Sequence, residues 1–352
     1  MSVKGAKGET YLPESGLSIA VFPVENLSGS TAPLRVVRES LIGELRAKGF
    51  RILEEEALEK FMVRNRIRYA SGIDDTTARA LRKETGAEAV LITSVELYSD
   101  AIPPKVAISS RLVSTGEAPV ILWADGVGMA GDDAPGILGL GLIEDPSFLL
   151  KKTLGTLVSS LERYSAKTEK QTHEKIDKKF EPRISYRSPA LAPDRKYTVA
   201  VIPFFNLSNR KNAGEVMVLQ FIRNLQRSES FNVIEPGLIR KAFLTLRMII
   251  EEGLSMADAN ILFASLNADV IITGKVVAYQ DYEGSYGKPK VDFSVQFIGK
   301  ETQKVLWSSV SHNEGDDGVF FFDWGRVNTA HAMASHMVMA VANTIEKRQG
   351  GK

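Results

Sequence analysis

Short apolar runs that stop at proline alternate with stretches whose apolar residues recur at helical spacing, and the whole series occurs twice. Ser18 to Phe22 and Thr198 to Ile202 read as buried strands that leave their sheets at Pro23 and Pro203. Leu34, Val37, Leu41, Ile42 and Leu45, and later Val218, Phe221, Ile222 and Leu225, predict first helices with one apolar stripe each. Second strands follow at Phe50 to Leu53 and Phe231 to Ile234. Leu58, Phe61 and Met62 mark a second helix, matched by Ile239, Ala242, Phe243 and Leu246 behind Pro236, a residue that suits a first helical turn. A third helix opens at Asp74 or Asp75 and at Ser255, where Ser255 and Asp258 form a capping-box pattern. Ala89 to Tyr98 and Val270 to Tyr279 are the central buried strands. Val291, Phe293, Val295 and Phe297 alternate with Asp292, Ser294 and Gln296, the period of a sheet with one wet face. Last strands carry Trp123 or Trp307. The series closes on helices marked by Leu150, Leu154, Leu157 and Leu161, or by Met333, Met337, Val341 and Ile345.

The order β-α-β-α-α-β-β-β-α predicts an α/β (α+β) domain with a mixed sheet, present as two tandem repeats. Ile19-Ala20-Val21-Phe22-Pro23-Val24-Glu25-Asn26-Leu27-Ser28 matches Val199-Ala200-Val201-Ile202-Pro203-Phe204-Phe205-Asn206-Leu207-Ser208 position for position. Phe50-Arg51-Ile52-Leu53-Glu54 matches Phe231-Asn232-Val233-Ile234-Glu235, and Gly86 to Val90 matches Asn267 to Ile271. Ile121-Leu122-Trp123 matches Val305-Leu306-Trp307, and Gly131-Asp132-Asp133 matches Gly315-Asp316-Asp317. The expected domains are 17–164 and 198–348. Between them, 165–197 reads as a lysine-rich linker whose Pro182, Pro189 and Pro193 enforce extended chain.

Composition narrows the chemistry. An apolar content of 44% and a charged content of 25% over 352 residues are those of a folded protein of two ordinary domains. The absence of cysteine excludes disulfides, zinc–thiolate sites, iron–sulfur clusters and thiol nucleophiles. A net charge of +1 gives no long-range field toward nucleic acid, and nucleic acid is not expected as a partner. Arg64, Arg66 and Arg68 beside Tyr69 are the one cluster that would suit phosphates and bases, and the second copy has no counterpart. No apolar run reaches the roughly 18 residues of a membrane-spanning helix, and the start lacks the apolar stretch of a secretory signal.

Few side chains form a chemical constellation. Asn26 and Asn206 suit turns after the first strands. Asp132-Asp133 and Asp316-Asp317 recur behind glycine, which suits a hard cation or, more simply, a solvated turn. His331 and His336 lie five apart on a helix and point in different directions; His312 has no evident partner. No catalytic residue, cofactor or metal ligand is singled out, and no enzyme is expected. The segments behind each Gly-Asp-Asp are apolar: Ile137, Leu138, Leu140 and Leu142 in one, Phe320, Phe321, Phe322 and Trp324 in the other. Exposed apolar loops favour association, so these are candidate interface residues, unless each folds back on its own core. Polar substitution of Leu140 and Phe321 should change oligomeric mass or partner capture if they are interfaces.

Ile19 to Ser28, Gly86-Ala87-Glu88-Ala89-Val90-Leu91-Ile92-Thr93 and Val120-Ile121-Leu122-Trp123, repeated in the second copy, resemble the superfamily that contains the TolB amino-terminal domain, the curli secretion channel protein CsgG and small outer-membrane lipoproteins. The resemblance implies the TolB amino-terminal, anticodon-binding-like fold. It also implies a non-enzymatic periplasmic, outer-membrane-associated scaffold for binding or assembly, accessory to secretion or envelope biogenesis. Its expected partners are envelope or secretion-machinery proteins and further copies of the chain, with peripheral membrane association through a lipid anchor removed before this chain begins. The chain departs from the pattern in lacking a signal, a lipidation cysteine and a long amphipathic hairpin, so a pore is not expected and a cytoplasmic location stays open. The alternative function is a periplasmic sensor or carrier holding a small ligand between the two copies.

Overall fold

A computed structural model describes residues 16–134, 141–166, 177–192, 195–249, 253–282, 287–317 and 326–346. The first copy runs β1 (Ser18–Val21), β2 (Glu25–Asn26), α1 (Leu34–Ala47), β3 (Arg51–Ile52), α2 (Glu55–Arg64), α3 (Asp75–Thr85), β4 (Ala89–Ser99), β5 (Lys105–Ser114), β6 (Ile121–Ala130) and α4 (Pro146–Ser165). After a short 3-10 turn at Lys178–Phe180 and β7 (Ile184–Arg187), the second copy repeats the series. It comprises β8 (Tyr197–Val201), β9 (Phe205–Asn206), α5 (Ala213–Gln226), β10 (Phe231–Val233), α6 (Pro236–Leu246), α7 (Met256–Leu266), β11 (Val270–Gln280), β12 (Lys290–Gly299), β13 (Lys304–Glu314) and α8 (Ala330–Glu346).

Both sheets are mixed, as the element order predicts. The first has the order β3-β1-β4-β5-β6, parallel at β3-β1-β4 and antiparallel from β4 onward. The second repeats it as β10-β8-β11-β12-β13 and adds β7 at the far edge. The two-residue strands β2 and β9, which the apolar pattern does not reveal, pair with β4 and β11. The predicted caps form: Asp74 accepts from the Thr77 amide and Ser255 from the Asp258 amide. Asn26 and Asn206 set matching turns by accepting from the amides of Ser28 and Ser208. Asp133 and Asp317 likewise close turns by accepting from the amides of Ala130 and Glu314.

The segment read as a linker does more than span a gap. Its β7 pairs antiparallel with β13, and its Phe180 and Leu191 are buried in the core shared with the second copy. A lysine-rich average concealed these few anchoring residues.

One face of the first sheet is covered by α1 and α4 through Val37, Leu41, Leu45, Leu150, Leu154, Leu157 and Leu161. On the second sheet α5 and α8 take the same place, while α6 and α7 pack on the other face through Ile239, Phe263 and Ile271. The two copies do not stand apart as separate globules. Phe22, Phe61, Ile92 and Val113 of the first belong to the same buried cluster as Phe221, Ile222, Phe293 and Met333 of the second. The reason lies in α5, which buries eleven residues where its counterpart α1 buries only Val37, Leu41 and Leu45. Helix α5 packs on its own sheet with Phe221 and against β6 of the first copy with Arg223.

Candidate functional site: the seam between the copies

Strand β4 carries an irregularity between Val95 and Leu97, and β11 carries one at the same place, between Val276 and Ala278. Each bulge re-aims the extra residue, Glu96 in one copy and Val277 in the other. Glu96 is 1% exposed and points into the joint between the copies. His331 of α8 meets its Oε2 through Nδ1 at 2.6 Å, and Gln220 of α5 donates to the same oxygen at 3.4 Å. Ser109 of β5 donates to its Oε1, and Arg210 donates to its backbone carbonyl. Burial alone would push the Glu96 carboxyl up. His331, by charge and hydrogen bond, with Ser109 and Arg210, outweighs it and holds the carboxyl below its ordinary value.

Glycines on β6 make this approach possible. A Cβ at Gly126 would lie 2.9 Å from Arg223 Nη1 and 3.0 Å from His331 Cε1; one at Gly128 would lie 2.8 Å from His331 Cδ2. With no side chain there, Arg223 reaches the Gly126 carbonyl at 2.8 Å and also donates to Ser335. Gln226 donates to the Ile121 carbonyl at 2.8 Å. In the second copy β7 pairs with the corresponding edge, Arg183 donating its amide to the Val310 carbonyl. Side chains of α5 thus cover part of the β6 edge, at the Ile121 and Gly126 carbonyls, where a strand covers β13.

A second lock sits at the other end of the seam. Arg111 of β5 grips Glu235, the residue capping α6, with Nε and Nη2 each at 2.9 Å. Arg111 is 3% exposed and Glu235 fully buried. Burial acts to lower the Arg111 pKa, but Glu235 outweighs it and the net shift is upward. Surface pairs frame both locks: Arg227 with Asp125 at 2.9 Å and Lys241 with Asp75 at 2.5 Å. Arg240 stacks over the Tyr69 ring at 3.6 Å, and Arg64 pairs with Glu84, so Tyr69 and Arg64 of the arginine-rich stretch are engaged within the fold. Between the copies, beside Ser109, Arg111, Asp125 and Arg223, remains a void of about 10 Å³, room for about one water.

The seam is not legible in the sequence because its parts are scattered. Arg111, Glu96 and Arg223 lie on three different elements and Glu235 caps a fourth, and nothing local marks them except that their counterparts Gln296, Val277, Gly43 and Glu54 differ or lie on open surface. That difference between aligned copies was the available signal. Of the histidines, His312 does have a partner, Asp292 Oδ2 at 3.0 Å on the neighbouring strand, and His336 stacks on Phe180. Among the interface candidates, Leu142 is half-buried; Ile137, Leu138, Leu140, Phe320, Phe321, Phe322 and Trp324 lie outside the described residues.

No family model matches the chain, and no curated protein matches it. Solved structures similar to part of it include a PelC dodecamer from Paraburkholderia phytofirmans, at 20% identity over 47% of this chain and 97% of that one, with a TM-score of 0.34. Lipoprotein GNA1162 from Neisseria meningitidis matches at 21% identity over 44% of this chain and 99% of that one, with a TM-score of 0.31. The carboxy-terminal domain of LpoB from Escherichia coli matches at 15% identity over 33% and 82%, with a TM-score of 0.25.

The seam predicts an acid response with a definite sign. A carboxyl held below its unfolded value contributes stability above that value and loses it as pH falls through the folded one. Glu96 should therefore weaken the joint as pH drops below about 4.3, the ordinary glutamate value. Glu96→Gln should cost about 1–3 kcal/mol at neutral pH through the lost charged hydrogen bonds. It should also flatten the acid limb of a plot of urea midpoint against pH. An unchanged acid limb would show that Glu96 does not carry it.

Proposed function

We propose that the chain is a non-enzymatic binding and assembly scaffold of the cell envelope, its two TolB amino-terminal-like copies locked into one unit whose outer faces engage partners. The carrying observation is the direction in which the chemistry faces. Glu96, Ser109, Arg223 and His331, the richest group of charged and hydrogen-bonding side chains, are each 8% exposed or less and are spent on joining the copies. A buried network of this kind rigidifies the joint and fixes a unique arrangement of the two copies. The envelope part of the reading rests on the resemblance of both copies to the TolB and CsgG superfamily. Among the described residues no helix is long and apolar enough to cross a membrane.

A small-ligand carrier is the weaker reading: the void beside Ser109 and Arg223, among the described residues between the copies, is about 10 Å³, far below the roughly 300–1,000 Å³ of ligand pockets. Expression from the natural reading frame, followed by crosslinking and fractionation, tests the scaffold. The chain should fractionate with the envelope and crosslink there to defined envelope proteins; recovery in the cytoplasm without partners would overturn the reading. In a thermal-shift screen a carrier would gain about 2.7 kcal/mol at a ligand concentration 100 times its Kd. A scaffold should show no such gain.

A further inference from the structure

The internal joint pairs two unlike surfaces, the helix face of one copy and the sheet face of the other. One of each therefore stays unused. The first copy keeps the outer side of α1 and α4, where Val36 and Phe148 are 51% and 57% exposed. The second keeps the sheet face that α5 and α8 cover in the first, and there Ile184, Tyr186, Val277 and Val310 are 69%, 52%, 52% and 40% exposed. Pairing across the strands sets Ile184, Val310, Ser294 and Lys275 in one row and Tyr186, Ser308 and Gln296 in the next.

The sizes on the unused faces are those of the internal joint reversed. Inside, small residues on the sheet, Gly126 and Gly128, receive large ones on the helices, Arg223 and His331. The counterparts of Gly126 and Gly128 are Val310 and His312, placed by the shared strand pairing. The counterpart of His331 is Ser147, since Leu149 bonds to Asp145 as Met333 does to Thr329. The counterpart of Arg223 is Gly43, two residues beyond Leu41 as Arg223 is beyond Phe221. Large side chains on the sheet thus stand opposite small ones on the helices. Chemistry follows the same correspondence. Gly128 lies beneath Thr329, whose counterpart is Asp145, so His312 would meet a carboxylate. Gln296 and the exposed Glu54 occupy the places of Arg111 and Glu235, an amide donor facing an acceptor.

We propose that a second copy of this chain lays its α1 and α4 face on the open sheet of the first, head to tail, extending the arrangement that joins the copies within one chain. The proposal deepens the scaffold reading by naming a partner for one of its outer faces. Such a contact is heterologous: each addition leaves one face of each kind free, and assembly continues until it closes into a ring or grows as a filament.

Sedimentation of the purified full chain tests this. The wild type should exceed its 38.6 kDa monomer mass and grow with concentration. Gly43→Arg blocks only the helix face and Val310→Glu only the sheet face, so each variant alone should be monomeric. Mixed in equal amounts, the two should form a dimer of one chain of each and nothing larger, because one working pair of faces remains. Circular dichroism melts check that both variants fold; Ser147→Arg and Ile184→Glu replace them if either melts early. A wild type that stays monomeric at about 100 µM, weaker than the micromolar affinities of modest interfaces, overturns the proposal. So does a mixture that stays monomeric while the wild type assembles. Neither result bears on capture of envelope proteins, which the crosslinking experiment reads separately.

Discussion

Replacing Arg111 by methionine should destabilise the whole chain by about 3–5 kcal/mol, read as a lowered urea midpoint, because it strands the fully buried Glu235 carboxylate without its cation. Glu235 would keep its weaker contacts to the amides of Ile73 and Gly237, at 3.3 and 3.4 Å, which do not balance a charge. Desolvation is the decisive quantity, since two charges taken out of water are tolerable only together. The double variant Arg111→Met, Glu235→Gln tests this directly. Glutamine keeps an oxygen to accept from the Gly237 amide and carries no charge, so much of the loss should return, with a coupling above 1 kcal/mol in the double-mutant cycle. If the single variant costs less than about 1 kcal/mol, the guanidinium is not the partner that makes Glu235 burial tolerable. The unfolding transition should also stay single, because Arg111 and Glu235 belong to different copies and those copies share one buried apolar cluster.

The same locks explain how much of this molecule could be read in advance. Strand and helix order was legible because both periodicities are local: Val37, Leu41 and Leu45 announce a helix, and Val291 to Phe297 announce a strand with one wet face. The wet face is there, with Asp292 and Ser294 half-buried and Gln296 exposed between buried Val291, Phe293, Val295 and Phe297. The duplication was legible for the same reason, since matched turns such as Asn26-Leu27-Ser28 and Asn206-Leu207-Ser208 depend only on neighbours in sequence. What could not be read was the way one copy uses the other. Helix α1 and helix α5 show similar apolar spacing, yet one has a free face and the other is buried nearly all round. That distinction rests on polar residues, Gln220, Arg223 and Asn224, whose burial no hydropathy pattern announces. Gly126 and Gly128 carry no side chain that a pattern could register. Their purpose appears only when His331 and Arg223 are seen lying on them.

Gly237→Ala offers the sharpest test of the packing between copies, because two physical effects give it opposite signs. Gly237 is the second residue of α6, and in an isolated helix alanine in place of glycine is favourable by about 1 kcal/mol. Here the added methyl would stand 2.4 Å from the backbone N, C and O of Ile73, in the other copy. Backbone on that side cannot swing away as a long side chain could, and Gly72 is just as close, a Cβ there falling 2.7 Å from the Gly237 nitrogen. Relief requires α6 to move off the first copy, which draws the capping Glu235 away from Arg111 and loosens that lock as well. The substitution should therefore destabilise by at least the 1–3 kcal/mol typical of overpacking, with the stranded carboxylate adding to it. Gly253→Ala makes the wrong control, because Gly253 has φ +143° and alanine there is strained whatever its surroundings. Gly43→Ala is the right one: it sits on the exposed side of α1 with nothing within 4 Å, and it should show the ordinary helical gain. A stabilised Gly237→Ala alongside a stabilised Gly43→Ala would mean that α6 does not press on the first copy in solution. A loss at Gly237 with a gain at Gly43 would place the close approach of the two backbones where Gly72 and Gly237 allow it.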